Sequence, residues 1–183
     1  MLIAIIDFIM IRYIILKKSA VVFLLLVVFF GGIENAAGAG AKTGGIRWLS
    51  FQKAIKKNKN FKKPFFVWFH ETGCEYCILF EKNILSEREV INLINENFYP
   101  VEINAYGGRK YEFFDGKKYG GKSLSSKFNV IGFPTSIFFD SHYKKIFYLP
   151  GYWNKKDFML VLGWISSKSY KRESLRKYFK NSF

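Results

Sequence analysis

The sequence contains few cysteines and few histidines, two of each among 183 residues. A zinc site needs four ligands, so both histidines would have to join both cysteines. His70 is predicted at a strand end and His142 at a hairpin tip, far apart in sequence, which disfavours a zinc site. A c-type haem is excluded, because its attachment requires a histidine directly after the second cysteine and Ile78 stands there.

Acidic residues are also in short supply, with 14 against 29 lysines and arginines, for a formal net charge of +15. A balance this basic can indicate binding to nucleic acid or to an anionic membrane surface. The lysines are scattered in pairs, however, and the sequence has no recognition helix, aromatic RNA-binding signature or zinc finger. We therefore expect a solvated basic surface that favours acidic partners or anionic lipid, and no nucleic acid as partner.

Apolar residues are plentiful, since half of the chain is hydrophobic and a fifth is aromatic. The length allows one domain with appendages but not two ordinary domains. Near the N-terminus the basic pair Lys17–Lys18 precedes an apolar run, Ala20–Phe30, and small residues with two A-x-A patterns follow at 37–41. The run is short for a spanning helix, and the three parts together are typical of a secretory signal. Residues 1–41 are thus predicted to be a signal peptide or an N-terminal membrane anchor.

Two interpretations of the start stay open. Either translation begins at Met10, which would give a more ordinary signal, or the longer hydrophobic region is retained as an uncleaved membrane tether. Both place the following domain outside the cytoplasm, in a bacterial periplasm, where disulfide chemistry is permitted. Residues 42–45 are predicted to be a flexible linker, 46–170 a globular domain and 171–183 a basic C-terminal tail.

Hydrophobic periodicity predicts alternating helices and strands in the domain. Residues 65–70 are apolar almost throughout, which is typical of a strand buried on both faces. The first half is predicted to contain a helix capped by Ser50, this strand, a helix over 74–85, a helix opened by a capping box at 86–89 and a strand over 98–104. The second half is predicted to contain a loop or small excursion over 105–122, a short helix from Ser123 to Phe128, a hairpin of strands 135–140 and 144–149, and a helix capped by Asn154. Their order indicates an α/β fold, a sheet layered between helices.

The two cysteines are spaced C-x-x-C, at Cys74 and Cys77, between the predicted buried strand and the start of a helix. Backbone N–H groups and the positive end of the helix dipole stabilise a thiolate there, and the spacing lets the second sulfur resolve a mixed disulfide. We predict thiol–disulfide exchange, with Cys74 as attacking thiolate, Cys77 as resolving thiol and no other cofactor. A purely structural disulfide is the weaker alternative, because so small a loop restrains the unfolded chain little.

A second motif, Gly132–Thr135, lies just ahead of the predicted hairpin. A proline at the mouth of a strand is commonly cis, and a cis bond exposes the preceding backbone for pairing with a substrate strand. Pro134 is therefore predicted to be cis and to lie against the cysteines. Phe133, with Glu75 and Tyr76 between the thiols, is predicted to contact the substrate.

Together these motifs resemble the thioredoxin superfamily over about residues 48–170. The resemblance is carried by residues 65–70 leading into Cys74–Cys77, by Gly132–Thr135 and by Leu149–Tyr152. The sequence is similar to the periplasmic thioredoxins encoded with bacterial sulfur-oxidation (Sox) systems and to thioredoxin-like domains of disulfide reductases. The resemblance implies a thioredoxin-like fold: a central mixed sheet flanked by helices, with a C-terminal hairpin and helix.

The resemblance also implies the roles of the exposed nucleophile for Cys74 and of the cis-proline for Pro134, but the sequence departs from the family elsewhere. Many thioredoxins carry a buried acid six residues before the first cysteine, which shuttles the resolving thiol's proton, and Trp68 stands there. Gly73 stands directly before the first cysteine, where the family usually has tryptophan, and Ile78 stands directly after the second, where lysine is common. A proton acceptor is therefore unassigned. The candidates are Glu71 and Glu75, each otherwise a solvated loop carboxylate. His70 is expected to be a packing residue at the strand end, with a role near the thiols as the alternative.

Two functions follow. The first is a periplasmic thiol–disulfide oxidoreductase that reduces protein disulfides, supplied with electrons by a membrane thiol transporter. It is motivated by Glu75, whose charge opposes the helix dipole and so destabilises the thiolate, away from strongly oxidising behaviour. The second is a thioredoxin-fold adaptor that docks a membrane or sulfur-oxidation complex. It is motivated by the basic residues of 168–183 and by Leu175, Tyr178 and Phe179, which fall on one side of a predicted helix. The alternative interpretation of this segment is a solvated terminal helix.

Overall fold

The structure, a computed structural model, describes residues 44–182. The predicted signal or anchor, residues 1–41, lies outside this range. No helix within the range is long and apolar enough to cross a bilayer. The elements are α1 (Phe51–Lys57), β1 (Phe65–His70), α2 (Glu75–Phe80), a π-helix (Glu81–Leu85), α3 (Arg88–Asn97), β2 (Tyr99–Asn104), β3 (Lys110–Glu112), β4 (Lys118–Gly120), α4 (Gly121–Lys127), β5 (Thr135–Phe139), β6 (Lys145–Pro150), α5 (Lys155–Ser166), a 3-10 helix (Ser169–Lys171) and α6 (Leu175–Asn181).

Four strands form a mixed sheet in the order β2-β1-β5-β6. β1 runs parallel to β2 and antiparallel to β5, and β5 pairs with β6 as the predicted hairpin. Central strand β1 is buried from Phe65 to Phe69, as its unbroken apolar run predicted. The predicted α/β fold, a mixed sheet flanked by helices, is confirmed.

Alternation along the strands divides the core between the two faces of the sheet. On the first face, Phe66 and Trp68 of β1 belong to a buried cluster with residues of α2, the π-helix, α3 and α5. On the second face, Phe65, Val67 and Phe69 belong to a cluster with residues of α1, α4 and the β3–β4 hairpin. Helices therefore cover both faces of the sheet.

Side chains cap the first and fifth helices as predicted. Ser50 accepts a hydrogen bond from the Lys53 N–H at 3.3 Å, and Asn154 accepts one from the Asp157 N–H at 2.9 Å. Both cap residues have extended backbone geometry, which is what an N-cap requires. These helix starts follow from local chemistry alone.

The predicted capping box at 86–89 is wrong. Ser86 keeps right-handed helical geometry at the end of the π-helix, and its hydroxyl donates to the Lys82 carbonyl. Glu87 is the residue that precedes α3, without a side-chain cap. Ser86 therefore ends the preceding helix instead of opening α3, and α3 begins at Arg88.

The segment 105–122, predicted to be a loop or a small excursion, contains the short hairpin β3–β4. Next to it, α4 begins at Gly121 rather than at Ser123, because β4 leads into the helix directly. A Cβ atom at Gly121 would overlap the Asn104 carbonyl at the end of β2. Glycine thus lets the start of α4 approach the sheet closely.

The predicted basic tail, 171–183, contains helix α6. Leu175, Tyr178 and Phe179 of this helix pack against the first-face cluster. The Trp164 indole N–H of α5 donates to the Glu173 carbonyl at 3.0 Å, which fixes the connection between the two helices. The apolar stripe is therefore used inside the domain, and the exposed side of α6 is basic.

Candidate active site

Cys74 and Cys77 form a disulfide at the start of α2, with their Cα atoms 5.2 Å apart. Cys74 is the N-cap residue, and its sulfur accepts a hydrogen bond from the Cys77 N–H at 3.2 Å. When the disulfide is reduced, the same N–H is placed to stabilise a Cys74 thiolate.

The two sulfurs differ in accessibility. The Cys74 side chain is half-buried at the helix end, whereas Cys77 is only 3% exposed within the first-face cluster. An external disulfide can reach the first thiol and not the second. Cys74 can therefore act as the attacking thiol, and Cys77 is shielded from external disulfides.

The turn before Cys74 explains one departure from the family pattern. Gly73 has φ +80°, a left-handed conformation that a tryptophan would adopt only with strain. Thr72 is held against the sheet because its hydroxyl accepts a hydrogen bond from the Asn104 side-chain amide at 2.9 Å. Glycine at this position lets the chain turn sharply from β1 into the helix.

The strand register brings the second motif to the same edge of the sheet. Phe69 of β1 is the neighbour of Thr135, the first residue of β5, so the segment before β5 lies beside the loop that follows β1. The Phe133–Pro134 peptide bond in that segment is cis. Among the described residues, the Phe133 N–H and C=O have no hydrogen-bond partner.

Large apolar side chains are exposed on the loops and helix at this edge. Tyr76 of α2 is 62% exposed, Tyr106 after β2 is 65% exposed and Ile131 before β5 is 95% exposed. The Tyr106 and Phe133 rings lie edge to face with centroids 6.2 Å apart. Glu75, in the first turn of α2, is also exposed. Exposed apolar side chains thus surround the disulfide, and the Glu75 carboxylate lies on the helix side.

His70 lies at the end of β1, on the first face of the sheet. Its ring stacks on the Trp68 indole at a centroid distance of 4.4 Å. Burial lowers the pKa of His70 from its ordinary 6.5, while the carboxylates of Glu102 and Glu81 oppose that shift. The buried Trp68 indole N–H has no hydrogen-bond partner within residues 44–182.

Sequence reasoning missed Glu102 and Glu81. Glu102 is the single acid between buried Val101 and Ile103 in β2, a break in an apolar pattern that could have drawn attention to it. Glu81 follows Cys77 by four residues, the spacing that puts two helical side chains on one face. Among the described residues, no group of three histidines, cysteines or carboxylates is placed to hold a metal ion.

Comparisons with known proteins place this geometry in a family. The thioredoxin-like domain family matches residues 51–163, more than half of the chain. A comparison with curated protein sequences gives no significant match.

Solved structures with the same fold come from several bacteria. A thioredoxin-fold protein from Helicobacter pylori is 22% identical, with a TM-score of 0.60 over 71% of this chain and 96% of that one. A putative disulphide-isomerase from Bacteroides thetaiotaomicron is 23% identical, with a TM-score of 0.52 over the same shares of the two chains. A thioredoxin from Thermus thermophilus is 20% identical, with a TM-score of 0.54 over 66% and 86%.

At these identities the solved structures establish the fold, and the family match together with the Cys74–Cys77 pair establishes the kind of domain. The narrower resemblance to thioredoxins of sulfur-oxidation systems stays a prediction. This chain belongs to the thioredoxin-like domain family.

Proposed function

We propose that this protein is a thiol–disulfide oxidoreductase that reduces protein disulfides outside the cytoplasm. The observation that carries the proposal is the unequal placement of the two sulfurs, Cys74 half-buried at a helix N-terminus and Cys77 buried behind it. A structural disulfide needs no such difference, whereas exchange requires one accessible and one protected thiol. Location outside the cytoplasm is supported by the signal-like pattern of residues 1–41.

The reaction balances as two exchanges. The Cys74 thiolate attacks a client disulfide, so that one client thiolate leaves and a mixed disulfide forms. Cys77 then attacks the Cys74 sulfur, which releases the second client thiol and closes the Cys74–Cys77 disulfide. Two electrons must reopen that disulfide, and we assign their supply to a membrane thiol transporter.

The surround of the disulfide favours an extended protein segment as substrate. The unpartnered Phe133 N–H and C=O can pair with a client strand. Exposed Tyr76, Tyr106 and Ile131 offer apolar contacts to side chains beside the client cysteine. Pro134 lies in the same segment, and Glu75 stands beside the approach to Cys74.

The reductive direction is supported by Glu75. Its exposed carboxylate in the first turn of α2 is repelled by a Cys74 thiolate and therefore disfavours the stabilised reduced form on which strong oxidants depend. The adaptor alternative was motivated by the basic residues of 168–183 and by an apolar stripe in the C-terminal helix. Since Leu175, Tyr178 and Phe179 pack against the domain, the stripe no longer supports it.

Insulin reduction by the purified full chain tests the proposal. The wild-type protein should accelerate the dithiothreitol-driven precipitation of insulin, and Cys74→Ser should be inactive. A redox titration of the Cys74–Cys77 couple should give a potential well below that of strong oxidants, about −120 mV. An inert wild-type protein would overturn the exchange reaction, and a potential near that value would overturn its direction.

A further inference from the structure

Cys77 needs a proton acceptor, because only the thiolate attacks a disulfide. Its surroundings are apolar: the side chain is 3% exposed and shares a buried cluster with Trp68, which is 2% exposed. The indole at Trp68 can donate a hydrogen bond but cannot take a proton. The proton of Cys77 therefore needs an acceptor other than Trp68.

The register of β1 and β2 places a carboxylate beside that indole. Glu102 is the direct neighbour of Trp68 across the two parallel strands. Val101 and Ile103 point into the second-face cluster, so Glu102 projects from the first face, the face that α2 covers. Trp68 stands where many thioredoxins carry a buried acid, and in this protein a carboxylate, that of Glu102, lies on the neighbouring strand instead.

His70 lies two residues beyond Trp68 on the same face, with its ring stacked on the indole at 4.4 Å. The residue as a whole is half-buried, so it lies between the core and the solvent. Glu81 stands one helical turn after Cys77, on the same side of the helix. The charged groups acting on His70 from neighbouring elements are two carboxylates, Glu102 on β2 and Glu81 on the π-helix.

We propose that His70 accepts the proton of Cys77 during resolution of the mixed disulfide, with Glu102 and Glu81 as positioning residues that stabilise the resulting imidazolium. As Cys77 attacks, its S–H proton moves to the imidazole, the new Cys74–Cys77 bond forms and the Cys74–client bond breaks. The client sulfur leaves with the electron pair. The imidazolium then returns the proton to water at its exposed edge. This inference rests on the proposed exchange reaction.

Burial supports this role. Because desolvation lowers the pKa of His70 from 6.5, the ring is neutral and able to accept a proton at neutral pH. The two carboxylates favour the charged ring and so limit the cost of holding the proton between transfers.

Stopped-flow reaction of the reduced full chain with dithiobisnitrobenzoate separates the two thiols. Attack by Cys74 releases one coloured thiolate and leaves the other on the enzyme as a mixed disulfide. Attack by Cys77 then releases the second, so the rate of the second phase reports the step in question. Measured against pH, this rate should level off in the wild-type protein once His70 is neutral.

His70→Phe keeps a ring against Trp68 but cannot accept a proton. Its second phase should slow by about a hundredfold near neutral pH and continue to rise with pH where the wild-type rate is level. Glu102→Gln should move the midpoint of the wild-type profile to lower pH, because a carboxylate that favours the imidazolium is gone. Matched controls are His142→Phe on the β5–β6 turn and Glu96→Gln at the exposed end of α3.

The outcomes separate the two proposals. A wild-type protein with no first phase would overturn the exchange reaction itself. A normal first phase with an unchanged second-phase profile in His70→Phe would overturn the proton-acceptor role alone. Circular dichroism checks that each variant is folded. If His70→Phe does not fold, Glu102→Gln decides, since an unshifted midpoint contradicts the proposal.

Discussion

At the scale of single residues, Cys74 and Cys77 have the same chemistry in different surroundings. Cys77→Ser should trap mixed disulfides with client proteins, because Cys74 can still attack and nothing resolves the adduct. Cys74→Ser should trap few, since the remaining thiol belongs to a residue only 3% exposed in the folded domain. Non-reducing electrophoresis after export in a native host measures both. Equal trapping by the two variants would contradict the assignment of nucleophile and resolving thiol.

His70 should make stability depend on pH. Burial holds its pKa in the folded protein below the ordinary 6.5, so the unfolded chain binds more protons at mildly acidic pH. The free energy of unfolding is then highest above 6.5 and falls as the pH drops through 6.5 toward the lowered pKa. Urea denaturation at about pH 8 and about pH 5 measures this fall. The fall in the free energy of unfolding should be smaller in His70→Phe than in His142→Phe. Equal falls in the two variants would show that burial of His70 does not contribute to the pH dependence of stability.

At the scale of elements, the junction between β4 and α4 depends on one glycine. Gly121→Ala places a Cβ against the Asn104 carbonyl, so backbone must shift and stability should fall by about 1–3 kcal/mol. Gly120→Ala is the matched control, because the nearest atom to its Cβ would be the flexible end of Lys110 at 3.9 Å. Thermal denaturation compares the two. Similar melting temperatures for the two variants would mean that the backbone around Gly121 accommodates a Cβ atom without loss of stability.

The helix at the cysteines changes geometry after the six residues of α2. α2 ends at Phe80 and the π-helix Glu81–Leu85 continues it, with Ile84 and Leu85 both buried. A π-helix widens the turn by one residue, which changes the direction of every later side chain. Hydrophobic periodicity predicted a continuous helix over 74–85. It could not indicate the π-helix, because the spacing of apolar residues does not distinguish a short π-helical turn from an α-helix.

At the scale of the whole molecule, α6 completes the first-face core. Phe179→Ala should lower the stability of the domain by about 1–2 kcal/mol, because its half-buried ring packs on the core cluster. Lys177→Ala, on the exposed side of the same helix, should change it little. Neither should alter the rate of insulin reduction, since both lie outside the proposed site. An unchanged melting temperature for Phe179→Ala would mean that the helix contributes nothing to folding.

Much of this protein follows from sequence alone because the signals are local. The apolar run of β1 predicted a strand buried on both faces, and the Ser50 and Asn154 caps fix helix starts through hydrogen bonds to residues three positions on. The C-x-x-C spacing requires no knowledge of distant residues either. These features determine the α/β class and identify the chemistry-bearing pair.

Only the tertiary structure decided which distant residues share a surface. The pairing of Trp68 with Glu102 depends on the register of β1 and β2, which the packing of both sheet faces sets. Exposed Tyr106 and Ile131 reach the edge that carries the disulfide because strand order brings their loops there. The unequal burial of Cys74 and Cys77 likewise depends on the cluster around α2. Such contacts join residues far apart in sequence, so no local pattern encodes them.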